Sequence, residues 1–98
     1  MDRTSFHQAL KDITDNVYFQ PPSSIQMVYP CIVYKRDDHE PKHADNSLYN
    51  SRQRYAVTAI DRDPDSSIPE QLAALPLSRF NRHYVANNLN HDVYSIYA

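Results

Sequence analysis

The sequence predicts an α+β domain: an antiparallel sheet of about four strands with an N-terminal helix and a second short helix packed on it, and a long polar loop between the first two strands. Three observations lead there. An apolar stripe with helical spacing opens the chain, short β-branched and aromatic runs follow without βαβ regularity, and an Asn87-Asn88 pair separates two strand-like runs near the C-terminus. At 98 residues the chain makes one domain, residues 1–98, with one modest core.

Phe6, Leu10, Ile13 and Val17 recur at spacings of four, three and four, so they share one helical face. Ser5 with Gln8 forms a capping-box pattern, and the helix must end before Pro21-Pro22, because a residue preceding proline avoids the helical region. Met27 to Tyr34 reads as a strand, with Pro30 marking its start or an edge position, since proline donates no ladder hydrogen bond. Residues 36–52 are almost wholly polar and form a long loop of the kind that is functional or mobile. Arg54 to Ile60 is the next strand, and Asp61 to Asp65 a polar turn. Ser67 with Glu70 gives a second capping pattern, Pro69 suits a first helical turn, and Ile68, Leu72 and Leu75 line one face of a short helix that Pro76 ends. Residues 79–85 and 91–97 then form a hairpin around Asn87-Asn88, whose side chains tolerate positive φ.

Composition narrows the function. The chain has no glycine, so Asn and Asp are expected at every left-handed turn position. Eight tyrosines and no tryptophan suit half-buried sheet faces and protein interfaces. Ten basic residues against twelve acidic ones give no general nucleic-acid binder, and sequence-specific nucleic-acid recognition is not expected. The chain has neither an apolar run long enough to span a membrane nor a signal-peptide pattern, so no membrane association is expected. Cys31 is the one cysteine, and it lies in an apolar run where packing is its expected role.

His39-Glu40-Pro41-Lys42-His43 matches the H-E-x-x-H pattern, in which two imidazoles one helical turn apart grip zinc and the Glu acts as general base. Pro41 inside it disfavours a helix by ~3 kcal/mol. No apolar stripe is present to dock such a helix, so a solvated loop is the expectation and a zinc hydrolase the remote alternative. His83 and His91 are candidates to face each other across the hairpin as a pH-sensitive pair. Arg52, Arg54, Arg79 and Arg82 would gather into a phosphate-binding patch if the strands bearing them were neighbours. Salt bridges to Asp61, Asp63 and Asp65 are the expected use instead. No catalytic residue, metal or cofactor is assigned.

Several stretches resemble the tailed-bacteriophage tail-terminator and head–tail joining (tail completion) proteins. They are Tyr29 to Tyr34, Arg54 to Asp61, Asp63 to Pro69, and Phe80 to His91, in the order helix, two strands around a long loop, helix and hairpin. The resemblance implies a virion structural protein, made in the host cytoplasm, that forms a homo-oligomeric ring of about six subunits at the head-proximal end of the tail. The tail tube protein and head connector proteins would be its neighbours. The expected interface residues are Asp37, Asp38, His39, Glu40, Lys42, His43, Asp45, Tyr49 and Arg52 of the long loop, with Tyr55, Tyr84, Tyr94 and Tyr97 of the sheet. A small adaptor that adds a partner's strand to its sheet edge is the alternative.

Overall fold

The computed structural model of the chain describes residues 2–37 and 53–98. Their order is α1 (Arg3–Lys11), β1 (Val17–Phe19), β2 (Cys31–Arg36), β3 (Arg54–Asp61), α2 (Ile68–Ala73), β4 (Ser78–Ala86) and β5 (Leu89–Tyr97). The fold is α+β as expected, with an N-terminal helix and a short second helix; of the stretch read as the long loop, Arg36 ends β2 and residues 38–52 lie outside the described residues.

The sheet has five strands in the order β1-β2-β3-β5-β4, one more than the sequence reading gave, and β1 runs parallel to β2 while the other pairs are antiparallel. The extra strand comes from residues read as the end of α1. Asp12, Thr14, Asp15 and Asn16 are weak helix formers, so the helix stops at Lys11. Val17, Tyr18 and Phe19 then pair with Ile32, Val33 and Tyr34. Val17 packs against the same core as Phe6 and Leu10, but from a strand. The cap also differs from the expected Ser5. Asp2 is the N-cap, its Oδ1 accepting from the Ser5 backbone N–H at 2.8 Å; hydrogen bonding from the Ser5 side chain first, and then from its backbone, holds the Asp2 carboxyl below its ordinary range.

β2 starts at Cys31, directly after Pro30, so the proline marks the strand start. At α2, Ser67 makes no side-chain cap; Ser66 Oγ accepts from the Ile68 N–H at 3.2 Å and Pro69 occupies the first turn. The two-residue turn between β4 and β5 holds Asn87 at φ 54° and Asn88 at φ 63°, the left-handed pair such hairpins need. Asn and Asp do not fill every left-handed position, however, because Gln20 has φ 43° and Leu77 φ 57°. A non-glycine residue there costs roughly 1–2 kcal/mol. Backbone bonds hold both in place: Gln20 N–H donates to the Tyr34 carbonyl at 2.9 Å, and the Leu77 carbonyl accepts from Tyr97 N–H at 3.3 Å.

The alternation along each strand sorts the sheet into two faces. Ile32, Tyr34, Tyr55, Val57, Ala59, Tyr94 and Ile96 form the main core with Phe6 and Leu10 of α1 and Ile68 and Leu72 of α2. Aromatic contacts join α1 to the sheet. Phe6 stacks on Tyr55 with centroids 4.9 Å apart and meets Tyr34 edge-on at 5.5 Å, and the Arg3 guanidinium lies 4.5 Å over the Phe19 ring. A smaller cluster of Cys31, Ile60 and Leu89 is covered by Met27 and Tyr29 from the β1–β2 connection. Tyr18 fastens that connection by accepting the Val28 N–H at 3.0 Å.

Candidate interaction surface

The two edges of the sheet differ. β1 is three residues long and half-buried, whereas β4 is a nine-residue edge strand exposed along nearly its whole length. A pairing shift between Phe80 and Arg82 inserts Asn81 as a bulge, which moves the alternation by one residue. Phe80, Tyr84 and Val85 therefore do not share one buried side, and they stand 54%, 39% and 62% exposed. Two more large apolar side chains lie open on the β1–β2 connection, Ile25 at 40% and Val28 at 60%. Exposed apolar side chains collected on an edge strand mark an interaction surface or a liability for strand pairing.

The expected interface residues fall in different places. Asp38, His39, Glu40, Lys42, His43, Asp45, Tyr49 and Arg52 lie outside the described residues, and with them the H-E-x-x-H match. Asp37 pairs with Arg54 at 3.1 Å, and both side chains are about a quarter to a third exposed, which makes the pair worth ~0–1 kcal/mol. Tyr55 and Tyr94 belong to the main core, and Tyr94 donates its hydroxyl to the Pro69 carbonyl at 3.0 Å, tying β5 to α2. Tyr97 is half-buried opposite Arg54. Of the four tyrosines Tyr84 alone is exposed, stacked on His91 with centroids 4.5 Å apart.

Arg54 does not lie on a strand neighbouring that of Arg79 and Arg82, because β5 lies between β3 and β4, and Arg52 is outside the described residues. Among the described residues, the turn aspartates do not serve as their ion-pair partners either. Asp61 Oδ1 accepts the Asp63 N–H at 3.0 Å and Asp63 Oδ1 the Asp65 N–H at 2.9 Å, so these carboxylates shape the turn. The histidines do not face each other either. The tight hairpin pairs Ala86 with Leu89, and this register puts His83 opposite Asp92 and His91 opposite Tyr84, on opposite faces. His83 Nδ1 meets Asp92 Oδ1 at 2.9 Å, while His91 Nδ1 donates to the Leu89 carbonyl at 3.0 Å.

Among the described residues no three His, Cys, Asp or Glu side chains cluster as metal ligands. An open groove of about 510 Å³ is lined by Gln20, Pro21, Val33, Tyr34, Lys35 and Arg36, which supply two cations and an amide but neither a carboxylate nor an imidazole. Cys31 is fully buried; burial first, and then the Asp61 charge, push its thiol up to about 11. The thiolate that nucleophilic chemistry needs is therefore scarce at neutral pH. Alkylation of Cys31 by iodoacetamide is expected to run at least ~100-fold slower in the native protein than in urea. Comparable rates in the two states would contradict its packing.

Among the described histidines, His7 is the one tied to the core. Its Nδ1 lies 2.6 Å from the Tyr34 hydroxyl, which also accepts from Arg3 Nη1 at 3.3 Å. The neutral Nε2–H tautomer accepts the Tyr34 proton, and burial, then Arg3 and Lys11, lower the His7 pKa below 6.5. A histidine depressed in the folded state binds its proton more readily when unfolded, so its contribution is intact above the unfolded value and is lost as pH falls below it. Stability is expected to drop as pH falls from about 6.5 toward the lower folded-state value. That drop should shrink in His7→Gln, as urea denaturation at about pH 7.5 and about pH 5 would show.

The residues that sequence reasoning missed are Phe80, Val85, Ile25 and Val28, whose exposure depends on which strand lies at the edge. One signal was present: apolar residues at 80, 84 and 85 fit no single alternating face, which is how a bulged edge strand reads. Compared with models of protein families, with curated proteins and with solved structures, the chain matches none of them.

Proposed function

We propose that the chain is a structural subunit that assembles into a homo-oligomeric ring, serving as a tail-terminator or head–tail joining protein of a tailed bacteriophage. The observation that supports assembly is β4: a nine-residue edge strand carrying three exposed large apolar side chains, Phe80, Tyr84 and Val85. Left in water, that strand presents unpaired backbone groups beside apolar surface; a neighbouring subunit would cover both. The phage assignment, with its tail tube and connector neighbours, rests on the sequence resemblance. A small domain of 98 residues gains stability from every such contact, since its own core is modest.

Negative-stain electron microscopy of the concentrated protein tests the reading. Closed rings with a central opening are expected. Fields of particles no larger than one subunit would overturn it.

A further inference from the structure

The sheet has one covered face and one that is partly open. Along β3 and β5 the residues turned toward α1 and α2 are buried, among them Tyr55, Val57, Tyr94 and Ile96. Ala56, Thr58 and Ser95 alternate to the other face and keep partial exposure, although both strands have neighbours on either side. On that second face Met27 and Tyr29 of the β1–β2 connection pack over Cys31, Ile60 and Leu89, at one end of the sheet. The opposite end stays open among the described residues, and Lys35 and Arg79 are exposed there.

The register lays cations across this open region. Lys35, Ala56, Ser95 and Arg79 form one row, so the two cations stand about 14 Å apart with two small side chains between them. Val33, Thr58, Val93 and Arg82 form the next row. Arg79 and Arg82 are three residues apart and would point to opposite faces of a regular strand. The extra residue Asn81 brings both to this face, two positions of β5 or about 7 Å from each other. The Arg82 guanidinium lies 5.2 Å from the centroid of the Tyr84 ring, which stacks on His91 of the same face. Among the described residues, Lys35, Arg79 and Arg82 make no ion pair. The described acids do not neutralise them. Asp37, the one nearest Lys35, pairs with Arg54, and Asp92 meets His83 on the covered face. Asp61, Asp63 and Asp65 follow β3 at the Cys31 end, and Asp12 and Asp15 precede β1, whose first residue pairs with Ile32 at that same end. Asp2 and Glu70 belong to the two helices of the covered face.

We propose that this open face binds single-stranded nucleic acid without reading its sequence, with Lys35, Arg79 and Arg82 holding phosphates and the Tyr84–His91 pair as the aromatic contact. Cations beside aromatic rings on a sheet face are the combination that holds single strands. A flat sheet face has no ridge to enter a duplex groove, and the small Ala56 and Ser95 between the cations leave no pocket for a partner protein's side chains. The separation of Arg79 and Arg82, about 7 Å, is comparable with the step between phosphates of an extended strand. Contacts to phosphate carry no sequence information, so no base-reading motif is required. The chain-wide charge of −2 conceals this face because it averages these cations with acids that lie elsewhere. The inference goes beyond the assembly reading and does not depend on it: Phe80 pairs with Tyr94 and Val85 with Asn90, positions that alternate to the other face.

Fluorescence anisotropy of a labelled oligothymidylate of about 20 nucleotides, longer than the roughly 4–16 that one such sheet covers, tests this. The wild-type protein should bind it at about 50 mM salt and weaken steeply toward about 200 mM. Three phosphate contacts predict that log K falls against log salt with a slope of about −2. Arg79→Ala with Arg82→Ala should bind about tenfold or more weakly at low salt and flatten the slope to about −0.7. Lys11→Ala, on α1 and away from this face, should bind as the wild type does. Both arginines are exposed, so the double variant should fold, as circular dichroism would show, and the Arg→Gln pair serves if it does not. No anisotropy change at about 100 μM wild-type protein in low salt would overturn the proposal. So would an equal loss in Lys11→Ala, which would trace the attraction to diffuse charge. Tighter binding of labelled polyglutamate, or of a duplex of the same length, would also overturn it and assign the face to an acidic protein segment or to double-stranded DNA. None of these results bears on ring formation, which electron microscopy reads separately.

Discussion

Phe6→Ala is expected to lower the stability of the domain by about 3–5 kcal/mol, the usual loss when a buried phenylalanine is cut back to its Cβ. Phe6 is 2% exposed and is the point at which α1 meets the sheet, stacked on Tyr55 and edge-on to Tyr34. Removing its ring takes away the transfer free energy and two aromatic contacts, and leaves a cavity over Tyr55 that the stiff sheet fills poorly. A domain of this size has a total stability of about 5–15 kcal/mol, so the variant should lie close to its unfolding threshold. Phe6→Leu, which keeps most of the volume, should lose less than half as much. Urea denaturation of the three proteins measures this; a loss below about 1 kcal/mol in Phe6→Ala would mean that α1 does not depend on that contact.

The second large effect concerns assembly. Phe80 and Val85 are 54% and 62% exposed, so placing lysine at both should change the melting temperature by only a few degrees. The same double variant, Phe80→Lys with Val85→Lys, is expected to abolish association, because it removes apolar area from the β4 surface and adds charge that a neighbour would have to desolvate. Equal folding with lost association is the signature of an interface residue. Unchanged association would place the contact elsewhere, and a collapse in melting temperature would mean that the exposed side chains support the fold after all.

The sequence revealed the fold's elements better than their arrangement. The stripe of Phe6 and Leu10, the β-branched run of β3, and the Asn87-Asn88 turn each follow from local chemistry, and each forms where periodicity places it. Val17 to Phe19 shows where local reading ends. Three residues are too few to display a period, and spacing put Val17 on the helical stripe, although pairing with Ile32 makes it a strand. The insertion of β5 between β3 and β4 has no local signature either, yet it makes β4 an edge and separates Arg54 from Arg79 and Arg82. Tyr55 and Tyr94 illustrate the same limit for the surface: tyrosine suits both cores and interfaces, and only the sheet's packing on α1 and α2 places these two inside. Aspartates invite salt bridges when counted along a chain, but Asp61 and Asp63 are consumed by their own turn.

The most direct test of the account is the mass of the wild-type protein by light scattering across a concentration series. A closed ring of subunits predicts a mass that rises with concentration and then levels off near six times the 11.4 kDa subunit, within about one subunit, because no edge is left free. A mass that stays at 11.4 kDa throughout the series would contradict the account and turn attention to a monomeric adaptor that uses β4 to bind another protein.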